Sequence, residues 1–308
     1  MNFFNKNTSE IIEILKNKLL YSKKVKFKVL NPDIVENLYC GEIIYIEGVE
    51  YRYISYKSLI DLAQILKCKM LTPKDLGDIV EITFIKLNDF SFHNCSNLDK
   101  YGKESEFFKI NKTQEPSFIY YYIDALKRAN IYNREKILNL GINRGDEFKV
   151  IADLVDKDSL NKKEFVGVDY SKSAIEVASS SFNSSNIKFF CKDINKLEEL
   201  SLGKFDMLIS IGTMQSSSLS YKELLMNLVT NYLEKDSAII LGFPNSRWIG
   251  GELVYGARVP NYNFSELGLM FSDVIFAKKY LQQKKYRVTI TGKDYIFLTA
   301  TKIRSALV

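Results

Sequence analysis

The sequence predicts an α/β protein: a mostly parallel seven-stranded sheet with helices on both faces and a terminal antiparallel hairpin, preceded by a small N-terminal α+β domain. Three observations carry this. From Ile137 to Leu241, apolar runs of strand length alternate with segments of helical spacing, a rhythm that calls for parallel strands joined by right-handed crossovers. The first run, Ile137 to Leu140, passes directly into a glycine-bearing turn and then into Asp146 and Glu147 at a helix start. Near the end, Arg287 to Thr291 and Tyr295 to Thr301 are joined only by Gly292, Lys293 and Asp294, a link that permits nothing but an antiparallel pair.

Composition bounds the rest. A chain of 308 residues with 46% hydrophobic and 13% aromatic residues folds, and it is long enough for two domains. Lys and Arg exceed Asp and Glu by 43 to 37, giving +6, which suits an anionic ligand or RNA without demanding either. Four cysteines, Cys40, Cys68, Cys95 and Cys191, lie far apart with no C-x-x-C, the pattern of reduced thiols in a cytoplasmic protein. His93 and Cys95 form a lone H-x-C that does not close a metal shell, so no metal is expected. The opening MNFFNKNTSE has no basic start followed by an apolar core, and the longest apolar runs are far too short to cross a bilayer.

Taken in order, Ser9 to Leu20 carries Ile11, Ile12, Ile14, Leu15, Leu19 and Leu20 at helical spacing behind a cap at Thr8 or Ser9. Lys24, Lys26 and Lys28 then alternate with Val25, Phe27 and Val29. This is a strand with one basic and one apolar face, and the preferred reading is an edge strand whose lysines discourage edge-to-edge pairing; the other is a ribbon for phosphates. Ile43 to Ile46 and Tyr51 to Ile54 flank a four-residue loop, Ser58 to Lys67 is helical, and Asp78 to Leu87 is a strand. Residues 1–96 are therefore an accessory domain for recognition or dimerisation, and a homodimer through it is one expectation. Residues 97–114 read as a polar linker whose Phe107, Phe108 and Ile110 suit it to folding down over a ligand. Residues 115–308 form the main domain, which opens with a helix from Pro116 to about Asn130.

In the main domain, strands at Phe165 to Val168, Ile187 to Cys191, Asp206 to Ile211 and Ala238 to Leu241 follow the first, and ligands bind at the carboxyl ends of such strands. Gly141, Asn143 and Gly145 make a degenerate G-x-G-x-G with Asn in the middle. The turn needs positive φ, which Gly adopts freely and Asn better than most. Asp169, after the second strand, is placed to accept from a ribose diol, and Asp193, after the third, from an exocyclic amine. A nucleoside lying across the sheet's edge fits all three.

These residues resemble the class I S-adenosylmethionine-dependent methyltransferases. The resemblance covers about Glu115 to Lys302 and is carried by LNLGINRG at 138–145, FVGVDYS at 165–171, FCKDI at 190–194, FDMLISIG at 205–212 and the final hairpin. It implies S-adenosylmethionine as cofactor, with Asn139, Gly141, Ile142, Asn143 and Gly145 along the methionine part and ribose. Asp169 would hold the ribose hydroxyls, Tyr170 the adenine face, Asp193 and Ile194 the adenine edge, and Gly212 and Thr213 would lie beneath the sulfonium. Two positions depart from the family: Asn139 stands where an acid is usual and Asn143 where a Gly is usual. A nicotinamide-dinucleotide enzyme is the rival reading, weakened by the absence of a third helix-packing Gly at the usual spacing. A catalytically silent nucleoside-binding relative is another.

The acceptor is less determined. The stretch from Pro244 to Phe264 holds Arg247, Trp248, Tyr255, Arg258 and Tyr262 among glycines, and reads as an aromatic, basic substrate lid. The loop SIGTMQSSSL, 210–219, lacks the Asn-Pro-Pro-aromatic signature of enzymes that methylate base amines, and it has no Cys for covalent attack on a pyrimidine. A small-molecule acceptor is the first expectation and RNA the second. No catalytic base is named by the sequence.

Overall fold

The structure is a computed structural model that describes residues 1–88, 105–182, 184–216, 218–256 and 267–303. The chain divides into two compact units, Met1–Ser91 with Trp248–Tyr255, and Phe92–Arg247 with Gly256–Val308.

In the first unit, α1 (Thr8–Tyr21) is capped by Asn7, one residue before the predicted cap. Asn7 Oδ1 accepts from the Glu10 amide at 3.0 Å while Glu10 Oε2 accepts from the Asn7 amide at 2.9 Å, a reciprocal capping box. Strands β1 (Lys24–Leu30), β2 (Ile43–Ile46) and β3 (Val49–Arg52) follow, then α2 (Tyr56–Ile65), β4 (Cys68–Met70), β5 (Lys74–Asp75) and β6 (Ile79–Lys86). The β2–β3 hairpin is tighter than predicted. Glu47 and Gly48 both take positive φ, +50° and +79°, so they make a two-residue turn that pairs Ile46 with Val49. β6 is the middle of an antiparallel sheet, with β1 on one side and β4 and β5 on the other. Its apolar face, Val25, Phe27, Val29, Val80, Ile82 and Phe84, packs on Ile11, Leu15 and Leu19 of α1 and on Leu59, Leu62 and Ala63 of α2.

The second unit starts with two short elements, α3 (Glu106–Lys109) and a 3-10 turn at Lys112–Gln114, where the sequence predicts linker. Then come α4 (Pro116–Arg128), β7 (Lys136–Leu140), α5 (Asp146–Leu154), α6 (Lys157–Asn161), β8 (Glu164–Asp169), α7 (Lys172–Ser181), β9 (Ile187–Cys191), β10 (Phe205–Ile211), α8 (Tyr221–Asn227) and β11 (Leu233–Pro244). A ribbon of β12 (Ser246–Ile249) and β13 (Glu252–Tyr255), α9 (Leu267–Gln283), β14 (Tyr286–Gly292) and β15 (Tyr295–Lys302) complete the described chain.

The large sheet has the order β14-β15-β11-β10-β7-β8-β9. The five strands β7 to β11 are parallel to their neighbours, and β15 is antiparallel to both β11 and β14, as the short final link requires. Both faces are covered. Ile137, Phe165, Met207, Ile209 and Ile240 pack under α4 and α5, whereas Leu138, Val166, Leu208, Ile239 and Leu241 pack under α8 and α9. That is why these strands read as unbroken apolar runs and not as alternating ones. Chain order runs outward from β7 through β8 to β9 on one side and through β10 to β11 on the other. The order therefore reverses between β7 and β10, and a crevice forms at their carboxyl ends.

Candidate functional site

The glycine turn has the backbone the sequence predicts. Gly141, Asn143 and Gly145 take φ of +77°, +48° and +88°, and Gly145 leads into α5. Asn143 thus does what a Gly does in that place, because Asn tolerates the left-handed region. The Gly141 and Ile142 amides donate to Val168 O at 2.8 and 3.2 Å, which ties the turn to the end of β8.

Across the switch point lies the loop after β10. Gly212 has φ +74°, and a Cβ built on Gly141 would fall 1.8 Å from Thr213 Oγ1. The two loops approach so closely that only hydrogen fits at 141. Glycine is needed there twice over, for its conformation and for its size.

Asp169 has two backbone partners. Its Oδ2 accepts from the Asn143 amide at 2.9 Å and its Oδ1 from the Ser171 amide at 3.0 Å. The acid predicted for ribose therefore also fixes the glycine turn and the start of α7. Tyr170 beside it is 50% exposed. Asp193 caps the turn that follows β9, its Oδ1 accepting from the Asn195 amide at 2.9 Å, and Ile194 is buried next to it.

Asn139 is fully buried, and neither its Oδ1 nor its Nδ2 has a hydrogen-bond partner in the structure. Leaving a buried polar group unsatisfied costs about 1–3 kcal/mol. This one sits two residues before Gly141, at the crevice where a nucleoside donor would lie. An orphaned amide at that point, a cradle that any Cβ would fill and an acid on the second strand together fit S-adenosylmethionine.

The structure also brings in residues that the sequence reading did not single out. Arg144 donates through Nη1 to Phe108 O at 3.0 Å and through Nη2 to Ile110 O at 3.3 Å, while its Nε donates to Asp146 Oδ2 at 2.7 Å. It thereby ties residues 108–110 to the glycine turn. A second tie is the Lys112–Glu147 ion pair at 2.5 Å, with side chains 20% and 2% exposed. Burial alone pulls Lys112 down, but the attraction of Glu147, with Tyr295 and Asp146, outweighs it and the lysine is held above its usual range. Burial pushes Glu147 up, against the pull of Lys112. No periodicity or motif points to these two ties, because the partners are main-chain carbonyls and single charges more than thirty residues away.

The five acceptor candidates separate. Arg247 is the last residue of its stretch in the second unit, and Trp248 and Tyr255 belong to the first, where Glu252 of the same ribbon bonds Lys69 at 2.5 Å and Leu253 O accepts from Gln64 Nε2 at 3.5 Å. Arg258 and Tyr262, like His93 and Cys95, lie outside the described residues.

A strand, a glycine turn and a helix start, with an acid at the end of the neighbouring strand and a switch point alongside, are the features of a nucleoside-binding α/β protein. The sequence from 132 to 286 matches the family described as "Methyltransferase domain". That stretch is half of the chain, and the chain belongs to this family as a class I S-adenosylmethionine-dependent methyltransferase. No curated protein matches it. Among solved structures it is similar to the plantazolicin methyltransferase BpumL in complex with a monoazolic desmethylPZN analog and SAH, at 15% identity and a TM-score of 0.42 over 63% of this chain and 87% of that one. It is also similar to magnesium protoporphyrin IX methyltransferase from Synechocystis PCC 6803 with bound SAM, at 14% identity and a TM-score of 0.40 over 63% and 85%. A third is the N-methyltransferase NodS from Bradyrhizobium japonicum WM9 in complex with S-adenosyl-l-homocysteine, at 14% identity and a TM-score of 0.42 over 62% and 91%. The family assignment rests on the sequence match.

Proposed function

We propose that the enzyme methylates a small-molecule acceptor and that the residues around the β7–β10 crevice hold its donor. When bound, S-adenosylmethionine supplies an electrophilic methyl group on a sulfonium, ready for in-line displacement. The chain's own contribution is alignment and exclusion of water. Gly141 and Asn143 offer backbone to the donor's ribose and methionine parts, Asp169 offers its carboxylate to the vicinal hydroxyls, and Tyr170 offers its ring to adenine. Asp193 and Ile194 border the adenine edge, and Gly212 and Thr213 border the methyl. Asn139 supplies a neutral amide where the family usually has a charge, so it holds an ammonium by hydrogen bonding alone. Arg144 keeps residues 108–110 over the turn.

The buried, unpartnered amide of Asn139 carries this reading, since a dry wall without a ligand has no use for it. A small acceptor is supported by the loop at 210–219, which lacks the Asn-Pro-Pro-aromatic signature of enzymes that methylate base amines and holds no Cys for covalent attack on a pyrimidine. The cytoplasm is the proposed compartment, supported by free thiols at Cys40, Cys68 and Cys191. Among the described residues no helix is long and apolar enough to cross a membrane.

Titration calorimetry with S-adenosylmethionine and, separately, NADH tests the donor: heat with the first and none with the second is expected, and the reverse overturns the reading. Trp248 and Arg258 are further proposed to act in acceptor recognition. Replacing either by Ala is expected to lower turnover with donor affinity unchanged, and equal loss of both quantities counts against that role.

A further inference from the structure

The sheet of the first unit has a second face. Register puts Lys24, Lys26 and Lys28 of β1 opposite Ile85, Thr83 and Glu81 of β6, Lys69 of β4 opposite Ile85, and Lys74 of β5 opposite Glu81. Residues paired across a ladder point to the same side. Five lysines from three strands therefore share one face with a single acid among these positions, while the alternate residues form the core under α1 and α2. Lys24, Lys26, Lys69 and Lys74 are exposed and Lys28 is half-buried. Lys26 pairs with Glu81 at 2.9 Å and Lys69 with Glu252 at 2.5 Å. Lys24, Lys28 and Lys74 have no ion-pair partner among the described residues. The hydrogen bond from Lys26 holds the Glu81 carboxyl below its usual range, with Lys74 and Lys28 adding to it against a smaller opposing effect of desolvation.

Protection of open edges needs only an occasional lysine. Five on one face, with one acid between them, repel one another and are relieved by a polyanion. Successive lysines of β1 lie roughly 6.6 Å apart, comparable to successive phosphates on a polynucleotide strand. None of the face positions is aromatic, so the bases of a single strand would find no stacking platform. The lysines sit on strands within a sheet and not on a helix that enters the major groove of B-form DNA, and only Lys69 is engaged by the β12–β13 ribbon, through Glu252. It suits the wide, shallow minor groove of an A-form duplex and the phosphates beside it.

We propose that this face of the first unit binds the phosphate backbone of duplex RNA. The binding is separate from the donor site and does not depend on which acceptor is methylated.

The test uses the full chain and a fluorescein-labelled RNA hairpin of about two helical turns, with anisotropy read over a range of salt. A duplex affinity that falls steeply with salt is expected. The triple variant Lys24→Gln, Lys28→Gln, Lys74→Gln should weaken binding at least about tenfold and lower the magnitude of the log–log salt slope by about 2–3. Glu81→Gln should tighten it. All three lysines lie on the solvent side of the sheet, and calorimetry with S-adenosylmethionine on the same triple variant should match the parent. The proposal is overturned by no RNA binding, by equal binding of parent and triple variant, by single-stranded RNA or a DNA hairpin binding as tightly as the RNA duplex, or by binding only to anionic phospholipid vesicles. Should the parent bind RNA but not S-adenosylmethionine, the donor reading fails and this one stands.

Discussion

In the first unit the lysines of β1, β4 and β5 lie on the outer face, and the other face packs a mostly apolar set against the helices, with Lys86 reaching the Leu19 carbonyl of α1. In the second, Asn139, Glu147 and Asp169 are buried at the carboxyl ends of strands or in the first turn of α5, and one of them has no partner for its side chain. An exposed lysine forfeits almost no solvation, whereas each buried polar group is destabilising unless something meets it. The difference teaches where polar groups are least costly. The first unit displays them on a surface and loses little stability by it; the second holds them in a dry wall.

The contrast is most easily broken at the Lys112–Glu147 pair. Lys112→Met leaves a carboxylate buried without its cation and is expected to lower the unfolding free energy by about 3–5 kcal/mol, whereas Lys112→Met with Glu147→Leu should recover most of that loss. Denaturant titration reads both. The sign with pH is fixed by the upward shifts. Glu147, raised above about 4.3, favours its protonated form in the fold, so its burden is absent below that value and grows as pH rises through the folded value. The deficit of Lys112→Met should therefore shrink as pH falls towards 4, and a pH-independent deficit would contradict the buried charge.

Gly141→Ala comes next. Its left-handed conformation alone costs a non-glycine residue roughly 1–2 kcal/mol, before Thr213 is displaced. Loss of measurable donor heat is expected along with a lower melting temperature, and unchanged donor binding would show that the turn does not approach the ligand.

Asn139→Leu sharpens the comparison, because stability and function should move in opposite directions. Removing both orphaned polar atoms is expected to stabilise the ligand-free protein by about 1 kcal/mol while weakening the donor. If both fall together, the amide is a structural group with a partner of its own.

The smallest effects belong to the first unit. Lys24→Gln should change unfolding free energy by no more than about 0.5 kcal/mol. The unit's two described thiols should still differ towards a thiol reagent. Burial pushes Cys68 up to about 11. Cys40 is held below the usual thiol range: burial opposes this, but hydrogen bonds with Ser58 and Ser55 outweigh it. Cys40 should therefore react in the native protein and Cys68 only on unfolding, and equal rates would show that this part of the unit opens locally.

Much of this was legible in the chain. The parallel alternation, the terminal hairpin and the left-handed turn at Gly141, Asn143 and Gly145 are local: each depends on residues within a few positions, on apolar runs, link length and tolerance of positive φ. For the same reason Asp169 stood out from its place after an apolar run. The errors were also local in origin. The β2–β3 link is two residues shorter than the four-residue loop the sequence predicts, because Glu47, a residue that seldom takes positive φ, does so here.

What only the tertiary structure decided is which distant residues meet. Arg144 finds two carbonyls at 108 and 110, Lys112 finds Glu147, and five lysines of β1, β4 and β5 come to share one face across β6. Within the stretch predicted as a lid, β12 and β13 pair as a ribbon, of which Trp248–Tyr255 belong to the first unit. The physical reason is common to all of these. Hydrogen bonds, charges and ladder pairings act over a few ångströms of space, and the sequence carries that distance only where neighbours in the chain are also neighbours in the fold.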